Sequence, residues 1–327
     1  MVTLLVTGGA GFIGSCFIHH ILKKYPDYKI INLDALTYCG NLQNLSDIKT
    51  DNYRFVQGSI CDKNLVRELT AESDCIINFA AETHVDNSIN NPEIFIKTNV
   101  EGTLNLLEQS RNAGIERFIQ VSTDEVYGTL GAEGYFYETS PLNPNSPYSA
   151  SKASADMLAR AYYKTYKLPV LITRCSNNYG PYQYPEKLIP FFILKLLNNE
   201  KVPLYGDGEN IRDWLYVYDH CDAIDTVLHK GKTGEVYNIG SHNEKTNSEL
   251  TNIILNYMGK DKSMIEYVKD RPGHDKRYAI SYDKISSELG WKPSVKFEDG
   301  IKMTIEWYLN NQDWITSVNN KKAVVSL

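Results

Sequence analysis

The sequence predicts an α/β protein on a doubly wound parallel sheet, with a smaller α+β lobe in its second half. Three observations carry that prediction. Short, nearly continuous apolar runs alternate with helical patterns through the first half, as strands covered on both faces require. The first run leads straight into a glycine-rich turn that opens a helix, Gly8-Gly9-Ala10-Gly11-Phe12-Ile13-Gly14. After Cys175 the alternation stops, and shorter, less regular elements follow.

The expected strands are Thr3–Thr7, Lys29–Leu33, Tyr53–Gln57, Asp74–Phe79, Glu116–Ser122 and Leu168–Arg174. Helical patterns fill most gaps, among them Ile94–Arg111 and Tyr148–Tyr166. Alternation of this kind builds right-handed βαβ units. In the second half a helix is expected near Pro190. Strands are expected at Trp214–Val217, Val236–Ile239 and Ile265–Val268, and helices at Asp219–His229, Ser248–Met258 and Phe297–Leu309. The division expected is 1–175 for a dinucleotide-binding domain and 176–327 for a second lobe, with parts of 207–240 packing back onto the first. No Gly/Ser- or Pro-rich linker and no repeat separates them. The tail after Trp314 is polar and is expected to be poorly ordered.

Composition narrows the class. The chain has 327 residues, 42% hydrophobic and 23% charged, which is ordinary for a globular enzyme. A net charge of −6 gives no footprint for nucleic acid or an anionic membrane surface. Val2 to Val6 is too short for a signal peptide, and no run approaches a membrane span. Cys16, Cys39, Cys61, Cys75, Cys175 and Cys221 have no paired spacing, so buried thiols are expected rather than disulfides or a metal site. A cytoplasmic protein is the expectation.

The glycine turn satisfies G-x-G-x-x-G from Gly9. It lets a pyrophosphate approach backbone N–H groups at a helix N-terminus, the Rossmann arrangement. Alone such a turn is as easily structural. Asp34, about 20 residues on at the next strand end, makes the reading specific. A carboxylate there accepts from ribose hydroxyls and repels a 2′-phosphate, which favours NAD over NADP. Asn78-Phe79-Ala80-Ala81-Glu82-Thr83-His84 ends a strand in small residues and leaves room for a dinucleotide. A lone histidine is more often structural than catalytic, so His84 is read as a wall of the site.

Two stretches carry candidate chemistry. Ser146-Pro147 reads as a helix start, which puts Tyr148 and Lys152 one turn apart on one face. In a chain with 23 tyrosines, Tyr-x-x-x-Lys by itself describes a solvated helix face. Its company changes that: Thr123-Asp124-Glu125 ends the fifth strand with a hydroxyl and two carboxylates, an unusual load for a cofactor face. An ammonium near a phenol lowers its pKa toward that of a useful base, and this is expected of Lys152 on Tyr148.

With these stretches, the chain resembles the extended short-chain dehydrogenases, and within them the nucleotide-sugar 4,6-dehydratases. The likeness runs through Leu33-Asp34-Ala35-Leu36-Thr37-Tyr38, Cys175 to Gln183, Asn210-Ile211-Arg212-Asp213-Trp214-Leu215 and Asp270-Arg271-Pro272-Gly273-His274-Asp275. Ser59 stands where that family has Asp, Thr83 where it has Ser, and Asn87 where it often has Arg; Ser59 leaves one adenine contact open.

The resemblance implies NAD as cofactor, dTDP-glucose as substrate and a homodimer formed through two helices per subunit. It implies catalytic roles for Thr123, Asp124, Glu125, Tyr148 and Lys152. Cofactor contacts are implied for Gly8, Gly11, Phe12, Ile13, Gly14, Asp34, Leu36, Thr37, Ser59, Ile60, Phe79, Ala80, Ala81, Thr83, Thr98, Tyr148, Lys152 and Asn178. Substrate contacts are implied for Thr83, His84, Thr123, Asn177, Lys187, Leu188, Pro203, Tyr205, Arg212, Asn247, Arg271 and His274. Arg212 and Arg271 suit forked contacts with phosphate. Three alternatives stay open: a dehydratase for another nucleotide sugar, such as UDP-glucose; a 4-epimerase, which needs no acid–base pair after Thr123; and a non-catalytic NAD-binding regulator.

Overall fold

The computed structural model describes residues 2–270 and 274–325, with side chains to Val318. Its strands are β1 (Thr3–Thr7), β2 (Lys29–Asp34), β3 (Tyr53–Gln57), β4 (Cys75–Asn78), β5 (Arg117–Thr123) and β6 (Val170–Cys175), then β7 (Asn177–Tyr179), β8 (Val202–Tyr205), β9 (Ile211–Tyr216), β10 (Val236–Ile239), β11 (Glu244–Thr246) and β12 (Ile265–Val268). The helices begin with α1 (Phe12–Lys24), α2 (Lys63–Ala71), α3 (Val85–Asn90), α4 (Pro92–Phe95), α5 (Thr103–Ala113) and α6 (Pro147–Tyr166). They continue with α7 (Leu188–Leu197), α8 (Val217–Lys230), α9 (Asn247–Tyr257), α10 (Asp283–Leu289), α11 (Phe297–Asn310) and α12 (Gln312–Val325).

Seven strands form one sheet in the order β10-β6-β5-β4-β1-β2-β3, every neighbouring pair parallel. This is the doubly wound architecture expected. Period-two alternation splits each strand between two cores. Leu4, Val6, Ile77 and Val121 pack on Phe17 and Ile21 of α1 and on Ile224 and Val227 of α8. Leu5, Ile76 and Phe118 face Val66 of α2, Leu106 and Leu107 of α5 and Ala159 of α6. Strands buried on both sides this way are the near-continuous apolar runs of the sequence.

The six expected first-half strands form within one or two residues of their expected ends. Val236–Ile239 is also a strand, but as β10 it extends the main sheet beside β6. A smaller sheet, β11-β9-β7, and the β12-β8 pair build the second lobe. Tyr179, Phe192, Trp214, Leu250, Phe297, Tyr308 and Trp314 form its core.

Three features differ from expectation. The helix expected over Ile94–Arg111 is α4, a π-helical segment Ile96–Gly102 and α5 in succession. Asn99 within the wide turn is buried; its carboxamide bonds the Glu82 N–H (2.8 Å) and carbonyl (3.0 Å) and Ser151 Oγ (2.8 Å). The tail is not disordered from Trp314 onward: it continues as α12, with Trp314, Ile315 and Val318 buried. The Trp314 indole donates to Asn44 Oδ1 at 2.7 Å, and Asn44 Nδ2 donates to the Ala10 carbonyl at 3.0 Å. The tail therefore braces the glycine turn. Among the cysteines, Cys39 and Cys61 are half-buried rather than buried, and all six thiols are free. No helix among the described residues is long and apolar enough to cross a membrane.

Replacing Trp314 by Ala is expected to cost about 3–5 kcal/mol, the range for a buried aromatic. Urea denaturation checks this through a lower midpoint at an unchanged slope.

Candidate active site

The glycine turn is built for close approach. Gly8 has φ +70°, and a Cβ there would lie 2.7 Å from the Ala80 nitrogen. A Cβ on Gly14 would lie 2.4 Å from the Gly8 carbonyl oxygen. Helix α1 starts at Gly11 with no side-chain cap, so the first N–H groups, at Phe12, Ile13 and Gly14, suit an anion. Asp34 ends β2; its carboxylate accepts from Ala10 N (2.9 Å) and Leu36 N (2.8 Å). A carboxylate at this strand end is placed to accept from ribose hydroxyls. Leu36 itself adopts φ +51°, and the Thr37 carbonyl accepts from Gly40 N at 3.2 Å. This cradle and its acid fit a dinucleotide.

The remaining expected cofactor residues line the same sheet edge. Ser59 Oγ accepts from Cys61 N (3.1 Å), and the Ile60 carbonyl accepts from Asn105 (2.8 Å). Phe79 packs on Phe17, with ring centroids 5.3 Å apart, and Ala80 N donates to Thr7 Oγ1 at 3.3 Å. Ala81, Thr83 and Thr98 are half-buried beyond them.

Thr123 is the last residue of β5 and caps the 3-10 turn Asp124–Tyr127 by accepting from Glu125 N at 3.3 Å. Helix α6 begins as the sequence implies, with Ser146 in a capping box and Pro147 at its first position. Tyr148 and Lys152 are both buried on its inner face, with the Tyr148 phenol close to the Thr123 side chain. Strand, turn and helix thus bring all five expected catalytic residues together.

Their electrostatics depart from expectation at Tyr148. Burial and the Glu125 carboxylate push its pKa up, and Lys152 does not offset them. The Lys152 ammonium donates to the Val121 carbonyl at 2.7 Å, and burial pulls its own pKa down. The lysine alone does not make the phenol a base. Asp124 is also displaced upward, by burial first and then by Glu125 and Asp213. Its Oδ2 has no hydrogen-bond partner among the described residues. Burial and the Glu125 carboxylate thus favour the protonated form of Asp124, the separation of roles that neighbouring carboxyls need.

The expected substrate residues are placed less uniformly. Asn177 and Asn247 each hold a buried Oδ1 without a hydrogen-bond partner among the described residues. Lys187 Nζ donates to the Thr83 carbonyl at 3.1 Å, just before Leu188 opens α7. Pro203 and Tyr205 lie on β8, with Tyr205 exposed and edge-on to His274 at 6.5 Å. His274 Nδ1 donates to Asp270 at 2.7 Å. His84 caps α3 by accepting from Asn87 N at 3.3 Å, consistent with a wall. The Arg212 guanidinium donates to the carbonyls of Ile211 (2.7 Å) and Asp275 (2.9 Å) and covers the Tyr278 ring at 4.5 Å. Arg271 lies outside the described residues.

Sequence reading passed over three residues here. Asn99 depends on the π-helical turn, which leaves no periodic signal. Tyr278 follows the Asp270–Asp275 stretch closely; its hydroxyl bonds Asp275, and Glu125 helps push its pKa up. His220 donates from Nδ1 to Asn178 Oδ1 at 2.9 Å, while Asn178 Nδ2 donates to the Ser176 carbonyl at 3.0 Å. The expected cofactor residue Asn178 is thereby fixed in one orientation. Elsewhere His20, Asp222 and Asp225 cluster on α1 and α8, but the Lys24 ammonium already serves them, 2.6 Å from Asp225 Oδ2.

Comparison with known proteins bears on this site. A family model described as GDP-mannose 4,6 dehydratase matches residues 5–304. The dTDP-glucose 4,6-dehydratase of Xanthomonas campestris pv. campestris (strain B100) is 52% identical over 339 residues, covering 97% of this chain and 96% of that protein. The chain belongs to the nucleotide-sugar 4,6-dehydratase family. Two solved members of this dehydratase family show the same architecture. The dTDP-glucose 4,6-dehydratase of Streptomyces venezuelae, with NAD bound, is 51% identical with a TM-score of 0.94, over 96% of this chain and 98% of that one. The enzyme of Bacillus anthracis str. Ames, in complex with NAD, is 55% identical with a TM-score of 0.92, over 97% and 100%.

In this dehydratase-family chain, the raised pKa of Asp124 has a consequence for stability. The folded state keeps a proton that the unfolded chain releases above its ordinary value of 3.8. Stability is therefore lost as pH rises from that value through the raised one. Asp124→Asn is expected to raise the melting temperature at pH 7–8 and to change it far less near pH 4, as followed by calorimetry.

Proposed function

We propose that the chain catalyses NAD-dependent 4,6-dehydration of dTDP-glucose to dTDP-4-keto-6-deoxyglucose. One arrangement carries the reading: the buried Tyr148 phenol on α6 lies close to Thr123, where a carboxyl with a raised pKa and a second carboxyl follow the strand end. An epimerase has use for the phenol but not for the pair that follows Thr123.

When bound, NAD+ supplies the acceptor and later the donor of one hydride, and a positive ring charge favouring the phenolate. Tyr148 takes the proton of the sugar 4-hydroxyl while Thr123 holds the same oxygen. Lys152 contributes by fixing the geometry through Val121 and by reaching the nicotinamide ribose. The 4-ketone formed acidifies the C5 hydrogen, which Glu125 removes. Asp124, whose protonated form burial favours, gives its proton to the departing 6-hydroxyl, and water leaves. Hydride at C6 and a proton at C5 complete the 4-keto-6-deoxy sugar.

Residues 1–175, with β10 and α8 packed on them, are assigned to the cofactor, and the rest of 176–327 to the nucleotide sugar. Asn177, Lys187, Leu188, Asn247, Arg212 and Arg271 are proposed around the diphosphate, Pro203 and Tyr205 beside the base, and Thr83 and His84 beside the sugar. Asp34 supports NAD rather than NADP. A homodimer is proposed through α3 to α6, where Ile89, Ile94, Ile96, Leu104 and Met157 are exposed. Six free thiols suit a reducing cytoplasm.

Two substitutions test the roles. Glu125→Gln is expected to slow dehydration by roughly 10²–10⁴, the usual worth of a positioned base, while reduction of bound NAD+ on mixing with dTDP-glucose survives. Tyr148→Phe is expected to abolish that reduction. Absorbance of the reduced nicotinamide and mass analysis of the sugar read both. Wild-type dehydration by Glu125→Gln, or rapid reduction by Tyr148→Phe, overturns the assignment.

A further inference from the structure

The proposed chemistry uses two elements that are far apart in sequence. The 3-10 turn after β5 carries the elimination pair, and α6 carries the groups for oxidation. Both must address one sugar, and displacement of about 1 Å can cost 10²-fold in rate. Beside the direct packing of Ala153 of α6 on Val126 and Tyr127, a buried side chain from a third element touches both. Arg174 lies on β6, paired with Ser122 of β5, one residue short of Thr123. Its Nε donates to Asp156 Oδ2 at 2.9 Å. Asp156 is on α6, one turn beyond Lys152. Its Nη1 donates to the hydroxyl of Tyr127, the last residue of the turn, at 2.8 Å, and the guanidinium covers that ring at 4.9 Å. The Tyr127 hydroxyl donates onward to Asn238 Oδ1 on β10 at 2.8 Å. Arg174, Asp156, Tyr127 and Asn238 are all 5% exposed or less.

Stability alone accounts poorly for this arrangement. A buried ion pair often does no better than an apolar replacement, because desolvation offsets the attraction. Here the pair is a single contact, and Asp156 Oδ1 has no hydrogen-bond partner among the described residues. What the guanidinium supplies is direction: a planar fork with one arm on the helix and one on the turn.

Resting on the dehydratase reading, we infer that Arg174 is a positioning residue that holds the Asp124–Glu125 turn in register with the Tyr148–Lys152 helix. Its two arms serve different half-reactions. The Tyr127 arm sets the elimination pair, and the Asp156 arm sets the helix for oxidation. The Asp156 carboxylate also faces Lys152, whose ammonium it favours against burial.

The test separates the arms. Wild-type protein is first assayed for loss of water from dTDP-glucose, which decides the dehydratase reading by itself. Tyr127→Phe frees the turn while keeping the ring. It is expected to lower kcat for dehydration by roughly 10–10²-fold with KM within about twofold, so that reduced nicotinamide accumulates on mixing. Asp156→Asn is expected to do the opposite: reduction itself slows by a similar factor and nothing accumulates. Arg174→Lys is expected to recover part of what Arg174→Met loses. Because a lone buried charge can prevent folding, the double variant Arg174→Met/Asp156→Leu is included, with thermal melts and retained NAD(H) as readouts of fold. A folded double variant that dehydrates at the wild-type rate overturns the inference. So does an equal fall of both half-reactions in Tyr127→Phe and Asp156→Asn, the signature of a merely structural network.

Discussion

Two adjacent carboxyl groups at the end of a central strand set the terms for this molecule. Asp124 is buried where charge is penalised, and the neighbouring Glu125 carboxylate makes its ionisation harder still. The protonated form of Asp124 is favoured as a result. Burial, and after it the Glu125 carboxylate, raise the pKa of the Tyr148 phenol and oppose its deprotonation. A site with this conflict works only when positive charge arrives with the cofactor. Under the proposed mechanism, proton removal by Tyr148 would draw on the positive charge of the nicotinamide ring.

The fold's task is to hold that conflict in place. Thr123 ends a strand flanked by β4 and β6, so the turn after it has little freedom. Lys152 is tied to the β5 backbone at Val121, and Asn99 ties the π-helical segment to α6 through Ser151. At the other end of the cleft, α12 braces the glycine turn through Trp314 and Asn44. The strain is local; the restraints come from elements spread along the chain.

The legible parts of the sequence were those governed by local rules. Apolar runs marked the sheet, the glycine turn and Asp34 marked the cradle, and Ser146-Pro147 marked the start of α6. The five catalytic candidates come together because strand ends and helix starts of this fold share one edge. What escaped depends on distant partners. β10 lies in the 207–240 stretch expected to pack back onto the first domain, but nothing local says that it pairs with β6. Asn99 points inward only because a π-turn shifts the helix, and Trp314 orders the tail only because Asn44 waits for it. The phenol's pKa went the other way because spacing to Lys152 says nothing of where the ammonium points.

The most direct measurement follows one hydrogen. Incubation with dTDP-glucose deuterated at C4, followed by mass and magnetic-resonance analysis, reports where the label goes. The account predicts loss of one water, deuterium moved to C6 of the same molecule, and a solvent hydrogen at C5. Deuterium still at C4 of a sugar of inverted configuration, or label lost to solvent with no water eliminated, would contradict it.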